Sequence, residues 1–112
     1  MNKLSILVLV CGLWSTPSFA EKVHASWYGP GFHGKLTASG EVFDQNAMTV
    51  AHKTLPFGTR LKVSHEGKSV VVTVNDRGPF IKGRTLDLSK GAAEKLGCIE
   101  KGVCLVDMKV LD

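Results

Sequence analysis

Between Ser69 and Phe80 the chain passes from an unbroken β-branched run into a polar turn: Val70, Val71, Val72, Thr73 and Val74 are followed at once by Asn75, Asp76, Arg77, Gly78 and Pro79. The run predicts a strand packed on both faces. The turn residues cannot extend it, and they set a carboxylate, a guanidinium and an amide at its lip. Upstream, Leu61, Val63 and His65 alternate with Arg60, Lys62 and Ser64, which predicts a strand with one buried and one wet face. Glu66-Gly67 then turns that strand into the valine strand as a hairpin. Further strands are expected at Val23 to Tyr28, Ala47 to Val50, Thr85 to Leu88 and Val103 to Leu111, the last pointing Cys104, Val106, Met108 and Val110 to one side. Ser89 is placed to cap a short helix that runs to Leu96 and stops at Gly97. Phe32 to Asn46 carries Gly, Thr and Ser with no helical period and predicts a long irregular loop. Short strands with one short helix fit a small, closed, mainly β barrel that leaves no edge open.

The first 20 residues change the setting rather than the fold. Lys3 gives a positive start, Leu4 to Trp14 an apolar stretch, and Ser18-Phe19-Ala20 a small-x-small cleavage site, the marks of a signal peptide over residues 1–20. The apolar stretch is shorter than the roughly 20 residues of a membrane span. The expected mature domain is 21–112, periplasmic or secreted. Cys11 as a lipid anchor is disfavoured, because Val10 before it is bulkier than the small residue a lipobox needs. Lys3 leaves with the signal, so 13 of the 14 basic residues remain against 10 acidic ones. That mild excess suits an anionic polymer, and no basic run with interleaved aromatics marks a nucleic-acid binder. One small domain, expected to be a monomer, has little surface for a second function. Cys98 and Cys104 are either a disulfide, favoured in an oxidising compartment, or two buried thiols. The four histidines, at 24, 33, 52 and 65, fall in no metal-ligand spacing, so no structural metal and no cofactor are expected.

The predicted elements carry a series of blocks: Ser26-Trp27-Tyr28-Gly29, Thr37-Ala38-Ser39-Gly40-Glu41 with Phe43-Asp44, Ala47-Met48-Thr49, and Ala51-His52-Lys53-Thr54-Leu55-Pro56. Asn75 to Phe80 follows, then Arg84-Thr85-Leu86-Asp87-Leu88-Ser89, leading into Ala92-Ala93-Glu94-Lys95-Leu96-Gly97. In this order and spacing, from about Val23 onward, the chain closely resembles the RlpA-like family of bacterial cell-wall proteins, distant relatives of the expansins. The resemblance implies a six-stranded double-psi β-barrel with one short helix. It also implies an endolytic lytic transglycosylase, which cuts peptidoglycan glycan strands between N-acetylmuramic acid and N-acetylglucosamine, leaves 1,6-anhydro-muramic ends and prefers peptide-free strands.

Such cleavage needs one group to protonate the departing oxygen and one to take the proton of the attacking 6-hydroxyl, and carboxyl groups usually serve. The resemblance carries these functions onto Asp76, Glu41 and His52. Asp76, just beyond a rigid strand, is the leading acid/base; Glu41 is the partner carboxylate; and a protonated His52 beside Asp76 would lower that aspartate's pKa. Tyr28, Thr37, Ser39, Asn75 and Arg77 are expected to contact substrate, Tyr28 by stacking on a sugar ring. Trp27 fits core packing as well as the groove, Asp87 in its Leu-Asp-Leu setting fits a structural hydrogen bond, and Asp44 is unassigned. Two other readings share the barrel: a non-catalytic, expansin-like module that binds and loosens the wall, and a hydrolase whose carboxyl groups hold a water across roughly 6.5–9.5 Å.

Overall fold

The computed structural model describes residues 20–111. In chain order it contains strands β1 (Glu21–Tyr28), β2 (Thr49–Ala51), β3 (Arg60–His65), β4 (Lys68–Asp76) and β5 (Leu86–Ser89), helix α1 (Lys90–Leu96) and strand β6 (Cys104–Val110). The strands close into a barrel in the spatial order β1-β5-β2-β4-β3-β6. β5 lies parallel to β1, β2 lies parallel to β4, and the other neighbouring pairs are antiparallel. Each parallel partner is thus reached by a crossover, which interlocks the two halves and gives the double-psi arrangement. Among the described residues no helix is long and apolar enough to cross a membrane. Apart from Ala20, the leader expected over residues 1–20 lies outside the described residues.

The hairpin between β3 and β4 shows how closely local sequence dictates geometry. Glu66 and Gly67 both take positive φ, 48° and 82°, as the two central residues of a type I′ turn do. The turn sets the register, pairing Val63 with Val70 and Leu61 with Val72. Leu61, Val63, Val72 and Val74 are then sealed inside with Val50, Leu86, Leu88 and Val106, each at 0–1% exposure. β4 departs from the expectation of two buried faces: its inward Val70, Val72 and Val74 are buried, and Val71 is 44% exposed. The valine run is therefore a one-sided strand, its outward residues chosen for strand propensity rather than burial.

At the other end of β4 the ladder slips. Val50 pairs with Val74 and Ala51 with Asp76, so Asn75 is the extra residue of a β-bulge. The bulge explains why Val74 and Asn75 are buried in succession, and it re-aims Asp76 at the barrel lip. β2 starts two residues and ends one residue later than expected, at Thr49–Ala51 rather than Ala47–Val50, since Ala47 is taken by a turn with Asp44.

The helix forms as its sequence signals require. Ser89 caps it by accepting from Ala92 N at 3.2 Å, and Gly97 ends it in the left-handed conformation at φ 75°. Its Ala92, Ala93 and Leu96 join the same core cluster as the inward strand residues. Cys98, just past the helix, is bridged to Cys104 at the start of β6, with Cα atoms 6.0 Å apart. Closing so short a loop restricts the unfolded chain by about 2 kcal/mol. Gly91 is required for close approach, since a Cβ there would stand 2.7 Å from the carbonyl oxygen of Asn46, in the long loop before β2. Gly91→Ala should therefore lower stability by about 1–3 kcal/mol despite alanine's better helix propensity, read as a drop in denaturant midpoint. An unchanged or raised midpoint would show that the helix and the loop are not in tight contact.

Candidate active site

The carboxylate of Asp76 sits where three segments meet. Its Oδ2 accepts from the Tyr28 hydroxyl at 3.0 Å, and its Oδ1 accepts from the backbone N–H groups of Ala38 and Arg77, each at 2.9 Å. Tyr28 is brought there by the end of β1. Ala38 arrives on the long loop, which docks on β4 a second time through Ser39 N and the Asn75 carbonyl at 3.3 Å. A side chain held on both oxygens by main-chain and aromatic donors keeps a single orientation, as proton transfer to a bound substrate requires.

Tyr28 does not serve as the expected sugar platform. Its ring stacks on Phe43 with centroids 4.4 Å apart and meets Phe32 edge-on at 5.5 Å, so it is built into an aromatic cluster. The contribution to the site is its hydroxyl. Burial, then the Asp76 charge and the hydrogen bond to it, push the Tyr28 pKa up, so the phenol keeps its proton.

Arg77 is likewise turned to the chain. Its guanidinium lies 4.0 Å over the Phe57 ring, and Nη1 donates to the carbonyls of His52 and Leu55, at 3.2 and 2.8 Å. The expected substrate contact gives way to a clamp on the segment after β2. His52 completes that clamp from within: its Nδ1 accepts from Thr54 N at 3.1 Å and Leu55 N at 3.0 Å, so the ring proton is on Nε2. Burial and the Arg77 charge lower the His52 pKa. The imidazolium expected beside Asp76 is thus absent near neutral pH, and His52 is a neutral cap, coupled to Asp76 through its main-chain N–H to the Asp76 carbonyl at 3.2 Å.

Thr37 and Asn75 are buried, at 7% and 5% exposure, and do not face the groove. Thr37 Oγ1 bonds Ser39 Oγ and the Glu41 carbonyl, each at 2.9 Å, which holds the loop's turn together, while the buried Asn75 Oδ1 has no hydrogen-bond partner among the described residues. Glu41 and Ser39 do face outward, lining a cleft of about 300 Å³ with Phe57, Gly58, Thr73 and Val74. Among the described residues neither Glu41 nor the His52 ring bonds the Asp76 carboxylate, whose partners are Tyr28, Ala38 and Arg77. A larger depression of about 590 Å³ lies by the end of α1, away from this chemistry.

A further carboxyl group near Asp76 is that of Asp87, whose Leu-Asp-Leu setting predicts a structural hydrogen bond. Ala51 of β2 pairs with Asp76 on one side and Asp87 on the other, placing the two aspartates two strands apart, with Cα atoms roughly 9–10 Å from each other. Ser26 Oγ donates to Asp87 at 3.1 Å, as the structural reading expects. Burial nevertheless raises the Asp87 pKa, with the Asp76 charge adding to it, and Tyr28 feels both carboxylates. No motif in the sequence announces this pair, because only the barrel order brings β4 and β5 to opposite sides of β2.

The depressed pKa of His52 sets a pH dependence. The unfolded imidazole titrates near 6.5 and the folded one lower, so between those values the unfolded chain binds more protons and stability is lost as pH falls. The melting temperature should therefore drop on going from pH 7 to below 6.5. His52→Ala should melt lower at pH 7, by about 1–2 kcal/mol for two lost backbone bonds, and lack that component of the pH response. An identical pH response in the variant would remove His52 from the explanation.

The profile of the family described as "Lytic transglycolase" matches residues 20–108. The chain is 60% identical over 89 residues to the probable endolytic peptidoglycan transglycosylase RlpA of Synechocystis sp., covering 78% of this chain and 28% of that protein. It is 55% identical to the endolytic peptidoglycan transglycosylase RlpA of Campylobacter jejuni, covering 78% of this chain and 32% of that protein. The RlpA of Vibrio cholerae is 52% identical over 95 residues, with 83% and 36% covered. The chain thus spans about a third of the length of these relatives. Among solved structures, the Streptomyces papain inhibitor superposes with a TM-score of 0.70 at 23% identity, over 87% of this chain and 98% of that one. The apo expansin of Clavibacter michiganensis gives 0.69 at 22% identity, over 83% of this chain and 50% of that one. Likeness at such identities bears on the fold.

Proposed function

The chain belongs to the RlpA family of lytic transglycosylase domains, and on that premise we propose that it cleaves peptidoglycan glycan strands internally, leaving 1,6-anhydro-muramic ends. The observation that carries this reading is the Asp76 cradle: a carboxyl group at the barrel lip, oriented on both oxygens and flanked by a second carboxyl group.

In this reading Asp76 protonates the glycosidic oxygen as the C–O bond to the muramic carbon breaks, and the sugar's own 6-hydroxyl closes on that carbon. The 6-hydroxyl proton returns to Asp76, so the group ends as it began and no water is consumed. Tyr28 is a positioning residue through its hydroxyl. Burial raises the Asp87 pKa, and its carboxylate accepts from Ser26 Oγ two strands away from Asp76. Glu41 borders the substrate from the docked loop, beside Ser39 in the cleft. The site of action is the cell-wall space, periplasmic or secreted, and the basic balance of the 13 Lys and Arg left after loss of Lys3 against 10 Asp and Glu aids retention on the wall. The domain works as a monomer without a cofactor, with glycan strands freed of stem peptides as its preferred substrate.

Mass spectrometry of material released from intact and from amidase-stripped peptidoglycan tests this directly. The expected result is anhydro-muramic products, more from the stripped strands, with Asp76→Asn reducing release by at least about 100-fold. Glu41→Gln and Asp87→Asn should each reduce it while the melting temperature stays near wild type. Release of reducing ends would indicate a hydrolase, and wall binding with no release would indicate an expansin-like module.

A further inference from the structure

On the far side of the molecule from Asp76, strand pairing brings three side chains together that are distant in sequence. β3 runs antiparallel to β6, so His65 at the end of β3 comes beside Cys104 at the start of β6 and, through the bridge, beside Cys98. One ligand atom from each of His65, Cys98 and Cys104 lies within 4.8 Å of the other two, and all three residues are buried, at 8%, 2% and 2% exposure.

The state of the histidine is set by its surroundings. His65 Nδ1 is 3.0 Å from the Leu105 carbonyl oxygen, which can only accept, so the ring proton is on Nδ1. The Nε2 lone pair is left buried without a hydrogen-bond partner. Glu66 Oε1, at 3.7 Å, is too far to hydrogen-bond it and is itself only an acceptor when ionised. Leaving such a group unmatched costs about 1–3 kcal/mol, and the closed disulfide offers no donor to relieve it. A histidine that donates from one ring nitrogen to a main-chain carbonyl, and has a ring nitrogen within 4.8 Å of two sulfurs, has the outer hydrogen bond that orients a metal ligand.

We propose that reduction of the Cys98–Cys104 bridge opens a three-donor site for a thiophilic divalent cation of the zinc class, made of His65 Nε2 and the two cysteine sulfurs. A dithiol reductant opens it in two exchanges: one of its thiolates attacks a bridge sulfur, the protein S–S bond breaks, and the second thiolate closes the reductant into a cyclic disulfide. Two protein thiols remain. Cation binding displaces their two protons to solvent. Two thiolates then balance the 2+ charge beside a neutral imidazole, so the filled site carries no net charge into a buried position. Zinc with Zn–S near 2.3 Å and Zn–N near 2.0–2.1 Å asks for donors roughly 3.5–3.8 Å apart, a separation that freed sulfurs can adopt by side-chain rotation. Glu66, with its side chain 68% exposed, lies 3.7 Å from His65 Nε2 through Oε1. Sequence spacing carries no sign of this site, because its histidine lies on β3, far along the chain from the two cysteines, and only the pairing of β3 with β6 brings them together.

The test compares the full chain in oxidised form and after dithiol reduction and anaerobic removal of the reductant, titrated with zinc chloride against a chromophoric chelator. Cobalt(II) serves as the spectroscopic probe. One zinc per reduced chain, none per oxidised chain, and thiolate-to-cobalt charge-transfer absorption only after reduction are expected. Cys98→Ser with Cys104→Ser should abolish binding. His65→Gln, checked for its fold in the oxidised form, should weaken it by about 100-fold or more. A reduced wild-type chain without stoichiometric zinc, whether it stays folded or unfolds, overturns the proposal. So does unchanged affinity in His65→Gln or in the double serine variant. Should His65→Gln fail to fold, the comparison of wild type with the double serine variant decides alone.

Discussion

Barrel closure rests on β2, whose three residues, Thr49–Ala51, must satisfy a neighbour on each side. A domain this small has little apolar surface to offset unpaired backbone, so an open edge on β4 or β5 would leave donors and acceptors unmatched next to its core. The short strand solves this by pairing parallel to β4 and antiparallel to β5. The same placement fixes the chemistry. With only Ala51 between them, Asp76 and Asp87 are held at a distance at which their charges interact but their side chains do not pair.

Most of the fold was legible because the residues that define it act locally. The Glu66-Gly67 turn, the Ser89 cap and the Gly97 stop each impose a backbone conformation that needs no distant partner, and each forms where the sequence indicates. Asp76 was legible for a related reason, since a strand that meets Asn, Asp, Gly and Pro must end. What could not be read depends on strand order. Val71 looks like a core residue until the barrel is seen to leave it exposed, and the bulge at Asn75 arises from slippage against β2, which no window along β4 records.

The polar residues show the same division. Arg77, His52 and Thr37 carry the chemical groups that a substrate site would use, and the structure commits them to backbone carbonyls and amides of neighbouring loops. Their side chains are spent on holding neighbouring loops in place around the Asp76 lip.

Two of the three donors that hold the Asp76 carboxylate are main-chain amides, those of Ala38 and Arg77. A main-chain donor is supplied by every amino acid except proline, so the anchoring of the long loop is nearly independent of what that loop is made of. The loop can be rewritten residue by residue while its grip on the carboxylate persists. Such an anchor constrains the backbone path and leaves the side chains free to vary, which fits a fold that recurs at only 22–23% sequence identity in an expansin and a papain inhibitor.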